Sequence, residues 1–353
     1  MSYDPPQHIC IVLLTGLGDV IHGLPVVNAL RDRYPDAMLT WVAEPMPAQI
    51  LQGHSSIDNL IIYRRRDGLS GIRALNASFR ALPKVDVTLN LNVFFKSVWP
   101  TLLSRGRRRI GFDRARSFDG VWLTATERIA AAPRAHTADM FLEFLTHLGI
   151  PLPEPEWKLS FSDDELAQQS AFFRRFAGDP VATIIPATAQ YKKDWLAERW
   201  AKVADALGGN YGFRVMIAGG PGERERAIAE DIVGQSSVSI EMAMGDSVRR
   251  LAWIVGGSNL LVAPDTGPVH IARALGVPVV GIYGHTNPWR VGPWRAYQDL
   301  WVDKYTEPGH PPDPTNRKPK WNVMPTITVD EVLARISVAV DKYHVRSRFP
   351  VAR

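Results

Sequence analysis

The stretch Ala263-Pro264-Asp265-Thr266-Gly267-Pro268-Val269-His270 gathers an acid, a hydroxyl, a glycine and a histidine into one short segment. The apolar run 259–263 reads as a buried parallel strand, and Pro268 opens a helix, because its fixed φ suits a first helical position where no N–H is needed. A helix N-terminus presents N–H groups and the positive end of a dipole, and Gly267 lets a ligand approach the backbone closely. The chemistry implied is anion binding, phosphate above all, with Asp265 and His270 flanking the ligand.

A second strand-to-helix turn carries a different acid. The apolar run 9–14 leads into Thr15-Gly16-Leu17-Gly18-Asp19, where Gly16-x-Gly18 begins a dinucleotide fingerprint but Ile21 occupies the third glycine position. That weakens the case for a nicotinamide-dependent oxidoreductase. Asp19 is either a first-turn carboxylate complementing the helix dipole or a general base able to take a proton from an acceptor hydroxyl. Lys193 is either a surface lysine beside Lys192 or the cation that neutralises a departing diphosphate, a task for lysine and helix N–H groups where no metal serves. His270 has a structural alternative as a helix residue bonded to Asp265. Trp195 and Trp200 read as packing rather than base-stacking residues.

These residues need a scaffold, and strand-like and helix-like segments alternate along most of the chain. Strands are expected at 9–14, 38–42, 59–63, 85–91 and 109–112, with helices such as 20–34 and 71–82 between them. Segment 151–156 holds three prolines and reads as an interdomain linker. A second βα series follows over 181–283, then a proline-rich loop to 325, unusually long and so expected to be functional or mobile. A closing helix starts near Thr328, with Glu331 completing a capping box. The expectation is an α/β protein of two doubly wound parallel sheets facing across a cleft, with ligands at the carboxyl ends of the strands. The expected domains are 1–155, 156–327, and a helix and tail at 328–353 that has the option of packing back on the first domain.

With 353 residues, 46% of them apolar, two domains are the natural division. Cys10 is the single cysteine, so no internal disulfide can form, which fits a reducing, cytoplasmic setting. The start has no basic segment or cleavage site typical of a secretory signal, and no apolar run approaches the roughly 18–20 residues of a membrane span. The net charge of +5 and the arginines Arg64, Arg65, Arg66, Arg105, Arg107, Arg108, Arg109, Arg114 and Arg116 suggest a basic face in the first half for a phosphorylated or carboxylated partner, against the alternative of an ordinary solvated surface.

The segments Gly16 to Pro25, Lys193-Asp194-Trp195, Gly219 to Glu223, Asp265 to His270, Asn287 to Pro293 and the closing Met324 to Leu333 together resemble the ADP-heptose:lipopolysaccharide heptosyltransferases of glycosyltransferase family nine, in collinear order over nearly the whole chain. The resemblance implies a GT-B fold and inverting, metal-independent transfer of heptose from ADP-heptose to the inner core of lipopolysaccharide. By the same resemblance Asp19 is the general base, and Thr188, Lys193, Thr266 and Gly267 hold the diphosphate. Glu223 bonds the ribose, while Asp265 and His270 contact the sugar or its phosphates. Gly18, His22, Arg64, Arg65, Arg66, Arg107, Arg109 and Arg114 would meet an anionic glycolipid acceptor, with the protein peripheral to the cytoplasmic face of the inner membrane. No nucleic acid, cofactor or metal is implied. Ala189 stands where relatives often carry a second hydroxyl, and the cysteines that iron- or zinc-bearing relatives carry before Met324 are missing. A family member using another nucleotide-sugar or acceptor and a non-enzymatic nucleotide or glycan sensor remain as alternatives.

Overall fold

The computed structural model describes residues 5–14, 16–152 and 154–345; residues 1–4, Thr15, Pro153 and 346–353, which include parts of the glycine turn, the linker and the tail discussed above, lie outside the description. The chain divides into two units, Met1–Ser160 and Phe161–Arg353. No helix among the described residues is long and apolar enough to cross a membrane.

In the first unit, strands β1 (His8–Val12), β2 (Met38–Ala43), β3 (Asn59–Ile62), β4 (Val87–Asn90), β5 (Arg108–Gly111) and β6 (Glu127–Arg128) form a parallel sheet in the order β3-β2-β1-β4-β5-β6. Helices α1 (Leu17–Arg33), α2 (Pro45–Leu51), α3 (Leu69–Arg80), α4 (Val98–Leu103) and α5 (Thr137–His147) connect and cover the strands. One sheet face packs Cys10, Val12, Leu14 and Val42 against Leu75 and Phe79 of α3. Burial in that apolar layer pushes the Cys10 thiol up, so it is a core residue and not a nucleophile. Helix α1, buried along most of its length, packs against α5.

The second unit repeats the plan. Strands β7 (Val181–Ile184), β8 (Arg214–Gly219), β9 (Ile240–Met244), β10 (Leu260–Pro264), β11 (Val279–Tyr283) and β12 (Trp301–Asp303) run parallel in the order β12-β11-β10-β7-β8-β9. Its helices are α6 (Asp163–Arg174), α7 (Ala197–Gly209), α8 (Glu223–Gln235), α9 (Val248–Gly257), α10 (Gly267–Ala274), α11 (Pro288–Val291) and α12 (Val329–Tyr343). Each sheet therefore has its order reversal between its first and fourth strands, β1/β4 and β7/β10, and in open parallel sheets ligands bind at that point beyond the carboxyl ends.

Three boundaries differ from the sequence expectation. The first unit extends to Ser160 rather than 155, because Asn28 Nδ2 donates to the Glu156 carbonyl at 2.6 Å and the His54 ring bonds the Trp157 carbonyl at 2.9 Å. The closing helix joins the core of the second unit: Val332, Ile336 and Ala339, one stripe of α12, are buried with α7, β11 and β12, and the Trp195 indole donates to the Ile327 carbonyl just before the helix. The proline-rich segment contains α11 and the sixth strand β12, and its remainder is stapled by side chains. Asn287 Nδ2 donates to the carbonyls of Asp313 and Asn316, and Tyr305 donates to that of Lys318 at 2.8 Å. Trp195 and Trp200 are buried edge to face at 5.0 Å, the packing role expected of them.

Candidate active site

At the switch point of the second sheet, the loop after β7 and the turn after β10 meet through one ion pair. Lys193 Nζ lies 2.7 Å from Asp265 Oδ2, with both side chains largely buried. Burial works to raise the Asp265 carboxyl, but the charge and hydrogen bond of Lys193, the charge of His270 and a hydrogen bond from Thr286 outweigh it and hold the group below the usual carboxylate range. Asp265 is thus an anchored anion, a poor acceptor of protons near neutrality. Thr266 is the N-cap of α10 in extended backbone, with Pro268 at the second helical position and His270 buried in the first turn. Thr266 and Gly267 are half-buried at the helix N-terminus, where the dipole favours an anion.

The β7 loop is internally braced. The Thr188 hydroxyl donates to the Gln190 carbonyl at 2.7 Å and accepts from the Gln190 N–H, while Asp194 accepts from the Thr188 N–H at 2.9 Å. Arg224, in the first turn of α8, bonds both Asp194 Oδ2 and the Thr188 carbonyl. Thr188 therefore shapes the loop, with its hydroxyl proton already committed, and Ala189 beside it is exposed. Lys193 and the α10 N-terminus are what this turn offers a diphosphate. Glu223 is exposed at the start of α8, after the turn Gly219 to Gly222, whose Gly220 N–H donates to Glu225. Sequence reasoning missed Asp194 and Arg224; their signal was an acid and an arginine adjoining the matched Lys193 and Glu223.

At the switch point of the first sheet, Asp19 sits in the first turn of α1, capped by Gly16 at φ 85°. A Cβ on Gly16 would lie 2.6 Å from Asp19 Oδ2, so glycine is required both for the backbone and for the carboxylate's position. Gly18 is half-buried in the same turn. Lys96, in the loop after β4, is pushed down by burial and by Arg65, against which the charges of Asp19 and Glu44 pull it up. Asp19, Lys96, Glu44 and Arg65 thus form one charged cluster beyond the ends of β1, β2, β3 and β4, and Arg65 Nε donates to Glu44 at 2.9 Å. Lys96 and Glu44 were not anticipated, although each follows a strand that brackets or adjoins β1.

The arginines of the expected basic face separate. Arg64, Arg65 and Arg66 follow β3, and Arg114 follows β5, all at the carboxyl ends of their strands and exposed. Arg107 and Arg109 lie at the opposite, starting end of β5, whose Arg108 is in register with Val87 at the start of β4. Arg109 bonds the carbonyls of Thr124 at 2.8 Å and Gly106 at 3.1 Å, so it holds the sheet edge together. Arg116 is a buried clamp paired with Asp113 and Glu143. His22 is buried with its ring edge-on to His136 at 5.0 Å, a packing position that leaves no exposed edge for an acceptor. Among the described residues no group of three or more His, Cys, Asp or Glu could hold a metal ion.

Residues 75–310 match the model of glycosyltransferase family 9 (heptosyltransferase). Over 309 residues the sequence is 31% identical to the lipopolysaccharide core heptosyltransferase OpsX of Haemophilus influenzae, covering 86% of each chain. A family 9 glycosyl transferase of Veillonella parvula matches with a TM-score of 0.77 at 23% identity, covering 94% of this chain and 96% of that one. The Escherichia coli heptosyltransferase WaaC with ADP-2-deoxy-2-fluoro heptose matches with a TM-score of 0.70 at 20% identity over 94% and 99% of the two chains. These structural likenesses establish the GT-B architecture expected from the sequence.

Proposed function

The chain belongs to glycosyltransferase family 9 (heptosyltransferase), and from that premise we propose that it transfers heptose from ADP-heptose to the inner core of lipopolysaccharide. The observation that carries the donor assignment is the Lys193–Asp265 pair beside the α10 N-terminus, a fixed cation and a positive dipole end at the switch point of one sheet. A relative of the same fold has been solved with an ADP-heptose analogue, and the curated relative is a lipopolysaccharide core enzyme.

In this mechanism the second unit holds ADP-heptose: Lys193, Thr266 and Gly267 face the diphosphate, and Glu223 bonds the ribose. Asp265 keeps Lys193 in place, and His270 supports Asp265. Asp19 takes the proton of the acceptor hydroxyl as its oxygen attacks the anomeric carbon. The bond to ADP breaks on the opposite face, ADP leaves with the electron pair, and the configuration inverts. Lys193 stabilises the charge gained by the leaving ADP, so the reaction proceeds without a metal. Gly18, Arg64, Arg65, Arg66 and Arg114 meet the anionic Kdo and phosphate groups of a glycolipid, and in this reading the protein works at the cytoplasmic face of the inner membrane.

The test is release of ADP from ADP-heptose in the presence of a Kdo-lipid acceptor, with and without a chelator, alongside calorimetry with UDP- and GDP-sugars. Acceptor-dependent release that survives chelation is expected. Tighter binding of a UDP- or GDP-sugar would transfer the assignment to another donor, and loss of turnover on chelation would remove the metal-free mechanism.

A further inference from the structure

The helical segment from Phe95 through α4 is turned inside out. Its polar residues face inward: Ser97 accepts from Asn90 Nδ2 at 3.1 Å, the Thr101 hydroxyl donates to the Ser97 carbonyl, and Ser104 pairs with Thr88 at 2.8 Å, all of them buried. Its apolar residues face outward: Phe95, Trp99 and Leu102, at i, i+4 and i+7, are 57%, 43% and 42% exposed. A water-facing helix ordinarily shows the reverse pattern. The neighbouring turn Val121–Thr124 packs against α4 and adds Leu123, 76% exposed.

The chain that carries this stripe is rich in cations. Between Phe94 and Arg134 the sequence holds nine basic residues and three acidic ones. Arg108 is paired with Glu127, and Arg116 with Asp113 and Glu143, while Arg105, Arg107, Arg114 and Arg128 are exposed and add positive charge to the surface. Arg114 and Arg134 lie over the rings of Trp122 and Phe118, and Phe118 stacks on half-exposed Phe94 at 5.3 Å.

We propose that the face formed by Phe95, Trp99, Leu102 and Leu123 with its rim of arginines is a docking surface for an anionic lipid bilayer. Aromatic and aliphatic side chains on one stripe with basic flanks is the arrangement that inserts shallowly among anionic headgroups. A second copy of the chain fits less well, since a two-fold contact would set this cationic face against itself. The proposal deepens the reading that the acceptor is a membrane glycolipid and rests on it for its purpose.

Flotation of the full chain with vesicles that lack any acceptor sugar tests it, so this readout stands apart from turnover. The chain is expected to float with phosphatidylcholine vesicles containing phosphatidylglycerol at least about tenfold better than with phosphatidylcholine alone, and to be released at about 0.5 M salt, where charges are screened within a few ångströms. The double variant Trp99→Glu with Leu102→Glu should lose at least about tenfold in partitioning with ADP affinity kept, and the milder Leu123→Ser should lose a few-fold. Wild-type chain that stays unbound, equal binding to both vesicle types, or variants that float as well as wild type would overturn the proposal. So would a lipid-free dimer that the same substitutions dissociate.

Discussion

The two switch points use the same pair of residue types in opposite order. In the second unit the lysine follows the first strand of the sheet and the aspartate the fourth, and the two are locked at 2.7 Å. In the first unit the aspartate follows the first strand and the lysine the fourth, and Lys96 feels Glu44 and Arg65 as well as Asp19. A carboxylate held by a buried cation is stabilised as the anion, and so loses basicity while fixing the cation's position. Asp265 is such a group, suited to setting a lysine for phosphate. Asp19, in a helix turn whose cap glycine leaves room for its carboxylate, belongs to a cluster of mixed sign, and is the acid we propose for proton transfer.

The sharpest way to break this contrast is to remove each carboxylate's charge in turn. Asp19→Asn is expected to lower kcat by about 10³, within the range general bases contribute, with ADP affinity unchanged. Asp265→Asn should instead weaken ADP binding and leave a larger share of kcat. Steady-state kinetics with calorimetry checks both, and an Asp19→Asn enzyme keeping a tenth or more of the wild-type rate would end the distinction. Gly16→Ala retains the carboxylate but crowds it, and should lower kcat by about tenfold or more, as misplacement of a reacting group does.

Lys193→Ala is the next largest change. It should weaken ADP binding by about tenfold to a hundredfold, corresponding to a lost charged hydrogen bond of roughly 1.5–3 kcal/mol. It also leaves Asp265 buried without its cation, so unfolding should become easier by about 3 kcal/mol, read from denaturant midpoints. The pH dependence has a definite sign. The folded Asp265 carboxyl lies below its ordinary value, so the pair's contribution is complete above the unfolded value of about 3.9 and fades as pH falls through the folded one. Wild type and Lys193→Ala should therefore converge in stability toward acid, and parallel curves would contradict the assignment.

Among the arginines the comparison is between the two ends of one sheet. Arg66→Ala should raise the acceptor KM by several-fold with little change in stability, as expected of an exposed contact to an anion. Arg109→Ala should leave that KM unaltered and cost about 1–3 kcal/mol of stability, because two carbonyls lose their donor. Equal effects on KM would restore the single basic face expected from the sequence.

What could be read from the residues was whatever depended on local pattern. The alternation of buried strands with helices gave both doubly wound sheets, and the turns at Asp19 and Asp265 announced themselves through Gly16 and Pro268. The cap at Thr328 with Glu331 was equally visible. Register is not local: whether Arg109 shares an end of the sheet with Arg64 depends on pairing with β4. The same holds for Lys96, which matters because β4 lies next to β1, and for the His22 contact with His136 on α5. Strand β12 escaped notice because three residues between prolines carry too short a pattern, and its identity comes from pairing with β11.

The smallest expected effect concerns Glu223. It is exposed at the first position of α8, beside Arg224, which is fixed to Asp194 and the Thr188 carbonyl. A solvated carboxylate accepting hydrogen bonds from a ribose gains modestly, because water competes for the same groups, so Glu223→Gln should raise the donor KM about threefold to tenfold with kcat retained. Arg224→Ala acts on the neighbouring position through the loop and not the ligand. It should loosen the segment from Thr188 to Asp194 and lower ADP affinity together with thermal stability, whereas Glu223→Gln should leave the melting temperature where it was. Melting curves with and without ADP separate the two, and a Glu223→Gln variant that melts early in the absence of nucleotide would show that this carboxylate holds the fold and not the ribose.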